Sequence, residues 1–221
     1  MNIEKARFNM IEQQIRPWDV LDAGVLDLLG IVKREEFVPQ EYKNLAFADT
    51  EVPLPCGQHM LAPKVEAKIL QAVNPGKHET VLEIGAGSGY MAALLAHKAR
   101  VVLALEIEAE LATMAQKNLA RQAVANVRVV QGNGAQGWAG DANLCAPWDV
   151  IVVSASLPTL PQEMLQQLKI GGRLAVILGE APVMSAQIIT RTGENAFDTV
   201  KLFETCVSPL REVQAAPQFK F

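Results

Sequence analysis

The residues with the plainest chemical potential are one acid and three alternating glycines, Glu83-Ile84-Gly85-Ala86-Gly87-Ser88-Gly89, followed by Tyr90. Glycines at this spacing let a ligand approach backbone that a Cβ would shield. The dinucleotide pattern needs a small sixth residue after its first glycine, and here that position is Tyr90. A lysine followed by Ser or Thr, as in a phosphate-binding P-loop, is also missing. The charge of Glu83 then decides what kind of ligand fits. A carboxylate at that point repels a pyrophosphate and favours a cation.

A second acid supports a nucleotide-type cofactor. Glu106 ends the apolar run Val101-Val102-Leu103-Ala104-Leu105, about twenty residues after the first glycine, where such folds place the acceptor for ribose hydroxyls. Its alternative role is to cap a helix beginning near Glu108, a position that acids favour. The pattern Glu83-x-Gly85-x-Gly87-x-Gly89 resembles motif I of class I S-adenosylmethionine methyltransferases, whose ligand carries an ammonium and a sulfonium. The expected cofactor residues are Glu83, Gly85, Ala86, Gly87, Gly89, Glu106, Gly132 and Asn133. No metal is expected.

These residues need elements to hold them. Val81, Leu82 and Ile84 read as a buried parallel strand and Met91–His97 as the helix after the glycine turn. That order brings backbone N–H groups and a helix N-terminus to one ligand. Further strands are expected at Val101–Glu106, Val127–Gln131, Trp148–Val153 and Arg173–Ile177, with a turn at Ser154–Ser156. Helices are expected at Glu108–Ala123 and Pro161–Leu168. Alternation of this kind predicts an α/β fold, a Rossmann-like open, mostly parallel sheet with helices on both faces. Ala186–Arg191 and Lys201–Val207 flank Thr192-Gly193 and read as a C-terminal antiparallel hairpin.

Ahead of the glycine motif, Ile3–Ile15 reads as a helix with Phe8, Ile11 and Ile15 on one face, ended by Pro17. A second helix follows Asp22 as its cap. The segment Asp49–Pro63 carries three prolines and a glycine before the last one opens a helix to Val73, so it reads as a stiff, shaped loop. The expected organisation is residues 1–63 as a helical appendage with the substrate loop, and residues 64–221 as the cofactor domain, in one continuous unit.

Composition narrows the field. Half of the 221 residues are hydrophobic, which is ample for a sizeable core, and the net charge of −4 gives no electrostatic reason to expect nucleic acid. No apolar run is long enough for a membrane span, and the N-terminus does not read as a signal peptide. Cys56, Cys145 and Cys206 are far apart without metal-ligand spacing, which fits reduced thiols in a cytoplasmic protein. Trp18, Trp138 and Trp148 read as packing residues.

Nearly end to end, the chain resembles the protein-L-isoaspartate O-methyltransferases. Met10–Arg16 and Arg34–Pro39 look like the family's N-terminal signatures. Val81–Tyr90, Asn126–Val130 and Leu168–Leu174 look like its core motifs. The resemblance implies methylation of isoaspartyl carboxylates in damaged proteins or peptides, with S-adenosylmethionine as donor and S-adenosylhomocysteine as product. Two positions depart from the family. Its substrate loop reads Gly-Gln-Thr-Ile-Ser-x-Pro, whereas Gly57-Gln58-His59-Met60-Leu61-Ala62-Pro63 has His59 for the threonine and Leu61 for the serine usual at the active site. Asn133 stands where an aspartate near the adenine is common.

An ionised carboxylate needs no base to make it nucleophilic at neutral pH. Holding oxygen, methyl and sulfur in line contributes about 7–11 kcal/mol in favourable cases, so no catalytic dyad is required. Gln58 to Leu61 are expected to roof the reacting methyl, with Ser154 to Ser156 opposite. His59 and Leu61 are the candidate catalytic positions, and Gln58, Met60 and Ser154 the substrate contacts. His59 either binds the acceptor carboxylate or is a loop residue without a role; Arg16 either meets a carboxylate or lies on the surface. Leu61 keeps two alternatives open, a different small carboxylate acceptor and a cofactor-binding interaction protein without turnover. An NAD-dependent oxidoreductase is a remote further reading.

Overall fold

The computed structural model describes residues 2–213; residues 214–221, the end of the second expected unit, lie outside the described residues. The chain opens with α1 (Ile3–Met10), whose N-terminus is capped by the Asn2 side chain accepting from the Lys5 N–H at 3.0 Å. The expected helix to Ile15 continues instead as a π turn over Ile11–Ile15 and a tight turn over Arg16–Trp18. The wider π turn shifts the phase of the apolar face. Met10, Ile11 and Ile15 are therefore buried, while Phe8 is 62 % exposed. α2 (Ala23–Ile31) has the expected cap, Asp22 accepting from the Val25 N–H at 2.9 Å.

The proline-rich segment folds as a separate two-stranded hairpin. β1 (Val52–Leu54) pairs antiparallel with β2 (Gln58–Met60) across a turn at Pro55–Gly57. α3 (Pro63–Val73) follows at once, with Val65, Ile69 and Val73 buried as its periodicity indicates.

The main sheet begins with β3 (Thr80–Ile84), then α4 (Tyr90–Lys98), β4 (Val101–Glu106), α5 (Ala109–Arg121) and β5 (Val127–Gln131). β6 (Trp148–Leu157), α6 (Gln162–Gln166), β7 (Leu168–Glu180), β8 (Val183–Arg191) and β9 (Phe197–Thr205) complete it. Its spatial order is β5-β4-β3-β6-β7-β8-β9. The first five strands in that order run parallel, and β7, β8 and β9 are successively antiparallel. From β3 the chain winds outward through β4 and β5, then returns to the other side of β3 as β6. The carboxyl edge of β3 and β6 is thus the switch point where open α/β sheets bind ligands.

Several boundaries differ from expectation. Ser154, Ala155 and Ser156 belong to β6 and form no turn; pairing with β7 shifts register between Val152 and Ser156, and this irregularity lets the strand carry on to Leu157. β7 starts at Leu168, ahead of the glycine pair, and α6 spans only Gln162–Gln166. Ala123 lies past α5 with a φ of 55°, so it leaves the helical stripe.

Alternate residues of the strands serve opposite layers, as the two-residue period requires. Val81, Ala104, Val150 and Val152 pack in a cluster that also holds Met10, Ile15, Phe37 and Ile69. Leu82, Ile84, Leu103 and Ile151 face the other cluster with Trp148 and Leu165. The N-terminal helices thereby share the core that the sheet builds. Full burial of each large aliphatic side chain stabilises by about 1.5–3 kcal/mol.

Candidate active site

The glycine turn leaves β3 with Gly85, Gly87 and Gly89 at φ of +88°, +52° and +85°, the left-handed region open to glycine. The N–H groups of Gly85 and Ala86 both donate to the Leu105 carbonyl at 2.9 Å, which locks the turn against β4. The glycines have different duties. A Cβ on Gly89 would stand 3.2 Å from the Ala115 backbone, so this residue lets α4 approach α5. Gly89 lines neither cleft of the site. A Cβ on Gly87 would meet Leu54 of the hairpin at 3.3 Å, and Gly87 does line the site.

Glu106 is held by two backbone N–H groups and does not cap α5, whose N-cap, Glu108, makes no side-chain capping hydrogen bond. One carboxylate oxygen accepts from the Glu108 N–H at 3.0 Å, next to the start of α5, and the other from the Gly87 N–H at 2.8 Å. The side chain is nearly buried yet lines a cleft of about 550 Å³ with Gly132, Asn133, Gln58 and Arg211. A second cleft of about 280 Å³ is lined by Glu66, Glu83, Tyr90, Met60 and Leu61. His59, Gly85, Gly87 and Ser154 line both, so they mark the junction.

The second cleft is short of positive charge. Glu83 is fully buried; Ser154 Oγ donates to its Oε1 at 3.2 Å, and Oε2 has no partner among the described residues. Burial raises this carboxyl well above its ordinary range against the Ser154 hydrogen bond, with Glu66 and Glu106 adding repulsion. Burial likewise lifts Glu66 to about 7, despite the adjacent Arg34 guanidinium. Arg34 is itself fully buried, with Nη1 on Glu66, Nη2 donating to the Leu61 carbonyl at 2.7 Å, and its guanidinium 5.1 Å from the Tyr90 ring centroid. Two raised carboxyls against one cation, with one oxygen unpaired, suit a cationic ligand. A cofactor with adenosine at Glu106 and an ammonium at Glu83 fits these residues.

The opposite wall is the hairpin. His59 is exposed, its Nδ1 3.2 Å from Ser208 Oγ, and half-buried Glu51 is nearby. Burial raises the Glu51 carboxyl, partly offset by His59. The Leu61 side chain is buried and gives the site no hydroxyl. Arg211 binds Glu108 and the Cys56 carbonyl, and once the Gln58 amide is turned so that its oxygen faces the guanidinium, Nε donates to that oxygen at 2.6 Å. It therefore joins the C-terminal segment to both the hairpin and the ribose side.

Some expected residues have other roles. Ser156 is buried and bonds the Val207 carbonyl, away from the wall assigned to it, because the extended strand turns its side chain inward. Asn133 Oδ1 accepts from the Ala135 N–H at 2.8 Å while Nδ2 donates to Glu212 at 2.9 Å. Arg16 lies on the surface, paired with Glu12 at 2.8 Å. Cys56 Sγ donates to the Glu110 carboxylate at 3.5 Å. Sequence reasoning missed Glu66, Arg34, Glu51 and Arg211. Glu66 had a visible signal: it lies three and four residues from Pro63, Ile69 and Leu70, on the apolar stripe of α3, where an acid needs a reason.

The family model for Protein-L-isoaspartate(D-aspartate) O-methyltransferase matches residues 5–212. A protein-L-isoaspartate O-methyltransferase of Koribacter versatilis is 36 % identical over 92 % of this chain and 90 % of its own. One of Brucella anthropi is 35 % identical over 98 % of each chain. Among solved structures, a protein-L-isoaspartate O-methyltransferase of Plasmodium falciparum in complex with S-adenosyl-L-homocysteine superposes with a TM-score of 0.79. It is 20 % identical, with 96 % of this chain and 99 % of that one covered. That likeness concerns the fold.

Proposed function

The chain belongs to the protein-L-isoaspartate O-methyltransferase family, and we propose that it methylates isoaspartyl carboxylates of proteins or peptides at the junction of its two clefts. The family's cofactor, S-adenosylmethionine, supplies an electrophilic methyl on a sulfonium sulfur. The observation that carries the reading is the pair of clefts meeting at His59, Gly85, Gly87 and Ser154, with a carboxylate in each arm.

Glu106 would accept from the ribose hydroxyls, with Gly132 and Asn133 bordering the base. Glu83, with one oxygen unpartnered among the described residues, and Glu66, paired with Arg34, would offer negative charge to the ammonium in the narrower arm. His59 and Ser154, which line both clefts, would flank the reacting carbon. The acceptor carboxylate arrives ionised, so the residues around it hold it in line and exclude water. His59, fixed by Ser208, is the hydrogen-bonding group on the acceptor side of this junction. It stands in for the loop hydroxyl that Leu61 lacks. The residues here have no proton to remove from the acceptor, because the cofactor would supply the methyl as an electrophile whose bonding electrons stay with sulfur.

Incubation with methyl-labelled S-adenosylmethionine and matched isoaspartyl and aspartyl peptides tests this. Base-labile label on the isoaspartyl peptide alone is the expected result. Cofactor binding with equal or no transfer to the two peptides would reject it. A second reading, favoured by the apolar Leu61 side chain, is transfer to another carboxylate. Label on a small acid in preference to the isoaspartyl peptide would support that one.

A further inference from the structure

A further pocket lies outside the clefts, where the Trp18 turn, the first turns of α3 and the end of β9 meet. It is a pocket of about 520 Å³ lined by Trp18, Lys64, Lys68, Phe203, Glu204 and Cys206, among others. Trp18 does not pack as expected; it is 46 % exposed. Lys64 Nζ sits 4.0 Å from the Trp18 ring centroid and is paired with Asp49 at 2.7 Å. Lys68 differs. Its Nζ lies between two rings, 4.8 Å from Phe203 and 5.8 Å from Trp18, and among the described residues it forms no ion pair. Glu204 at the rim is turned to Lys201, at 2.9 Å. The rings bury the stem of Lys68 and displace water around its ammonium. A half-buried ammonium with aromatic walls and no carboxylate partner has the charge and the shape for an acidic side chain.

The pocket is also close to the acceptor. Cys206 on its wall is two residues from Ser208, whose hydroxyl meets His59. Lys64 is three residues from Leu61. At about 3.3–3.6 Å per extended residue, the wall and the acceptor junction are spanned by two or three residues of a bound peptide. We propose that this pocket is a subsite for an Asp or Glu side chain of the polypeptide substrate, two or three residues from the residue that accepts the methyl. The inference rests on the isoaspartyl reading for what occupies the junction. A single cation unpaired among the described residues, beside a rim carboxylate, is a poor match for a nucleic-acid backbone, which asks for a row of cations.

The test uses isoaspartyl peptides carrying Glu or Gln at each of the second and third positions on either side of the isoaspartyl residue. For the wild-type protein, Glu at one of these positions is expected to lower KM about tenfold relative to Gln, with kcat unchanged and the preference fading as salt rises. Lys68→Gln should abolish the preference while leaving the Gln peptides untouched, Lys68→Arg should keep it, and Trp18→Leu should weaken it. Equal KM for Glu and Gln peptides at every position would overturn the proposal. Fluorescence anisotropy of the same peptides, labelled, with S-adenosylhomocysteine present, reads the subsite without turnover. If no peptide is methylated, the isoaspartyl reading fails. A Glu preference in binding that Lys68→Gln removes would still uphold the subsite, and its absence would reject it.

Discussion

The two walls of the site are built on different terms. The cofactor wall is main-sheet backbone: the glycine turn is locked to the Leu105 carbonyl, and Glu106 is held by two backbone N–H groups. The acceptor wall is a small hairpin outside the main sheet, fastened by side chains. Arg34 holds it at the Leu61 carbonyl, Arg211 at Gln58 and the Cys56 carbonyl, and Ser208 at His59. Backbone geometry survives exchange of most side chains, whereas a wall fastened by side chains changes whenever they do. The backbone-borne glycines keep the pattern that the chain resembles, whereas its departures fall on side chains, His59 and Leu61 at the hairpin and Asn133 on the cofactor wall.

The largest effect should come from the cofactor wall. Glu106→Ala removes the charged acceptor, and hydrogen bonds to charged groups contribute about 1.5–3 kcal/mol each. Affinity for S-adenosylhomocysteine measured by calorimetry is expected to fall about a hundredfold or more. An affinity within threefold of wild type would erase the distinction between the walls. Next is the fastening itself. Arg34→Met strands the buried Glu66 carboxylate, and urea unfolding is expected to show a loss of about 3–5 kcal/mol. The double variant Arg34→Met with Glu66→Val should recover much of that loss, since no charge is then left unpaired.

His59→Ala addresses the acceptor wall alone. It is expected to lower kcat/KM for an isoaspartyl peptide about tenfold, equivalent to about 1.4 kcal/mol, with cofactor affinity unchanged. A fall in cofactor affinity would mean that the hairpin belongs to the other wall. The smallest effect concerns pH. Glu66 titrates at about 7 and Glu83 above the ordinary carboxylate range. Protonated, neither attracts a cation, and a bound cation lowers both pKa values and releases protons. Cofactor affinity should therefore rise severalfold from pH 5.5 to 7.5. Glu66→Gln should flatten the rise, and an affinity falling over that range would contradict the charge assignment.

The same contrast governs what the sequence revealed. The strand, glycine turn and Glu106 spacing were legible because one local stretch holds their chemistry, and the parallel order followed from alternating periods. Residues brought in from afar were not. Arg211 reaches the site only through the three-dimensional path of the last strand, and the ion pair of Arg34 with Glu66 joins positions 32 residues apart. The π turn was hidden because its slip in register leaves the count of apolar residues intact, so Phe8 was assigned inward. Ser154 lines both clefts, but as part of a strand, which carries Ser156 away from them.

The most direct measurement is a crystal structure of this chain with S-adenosylhomocysteine. The expected result has the ribose hydroxyls on Glu106, the ammonium beside Glu83 and Glu66, and the sulfur facing the gap between His59 and Ser154. A bound molecule with its amino-acid tail directed away from Glu83, or with its sulfur screened from His59, would contradict the arrangement.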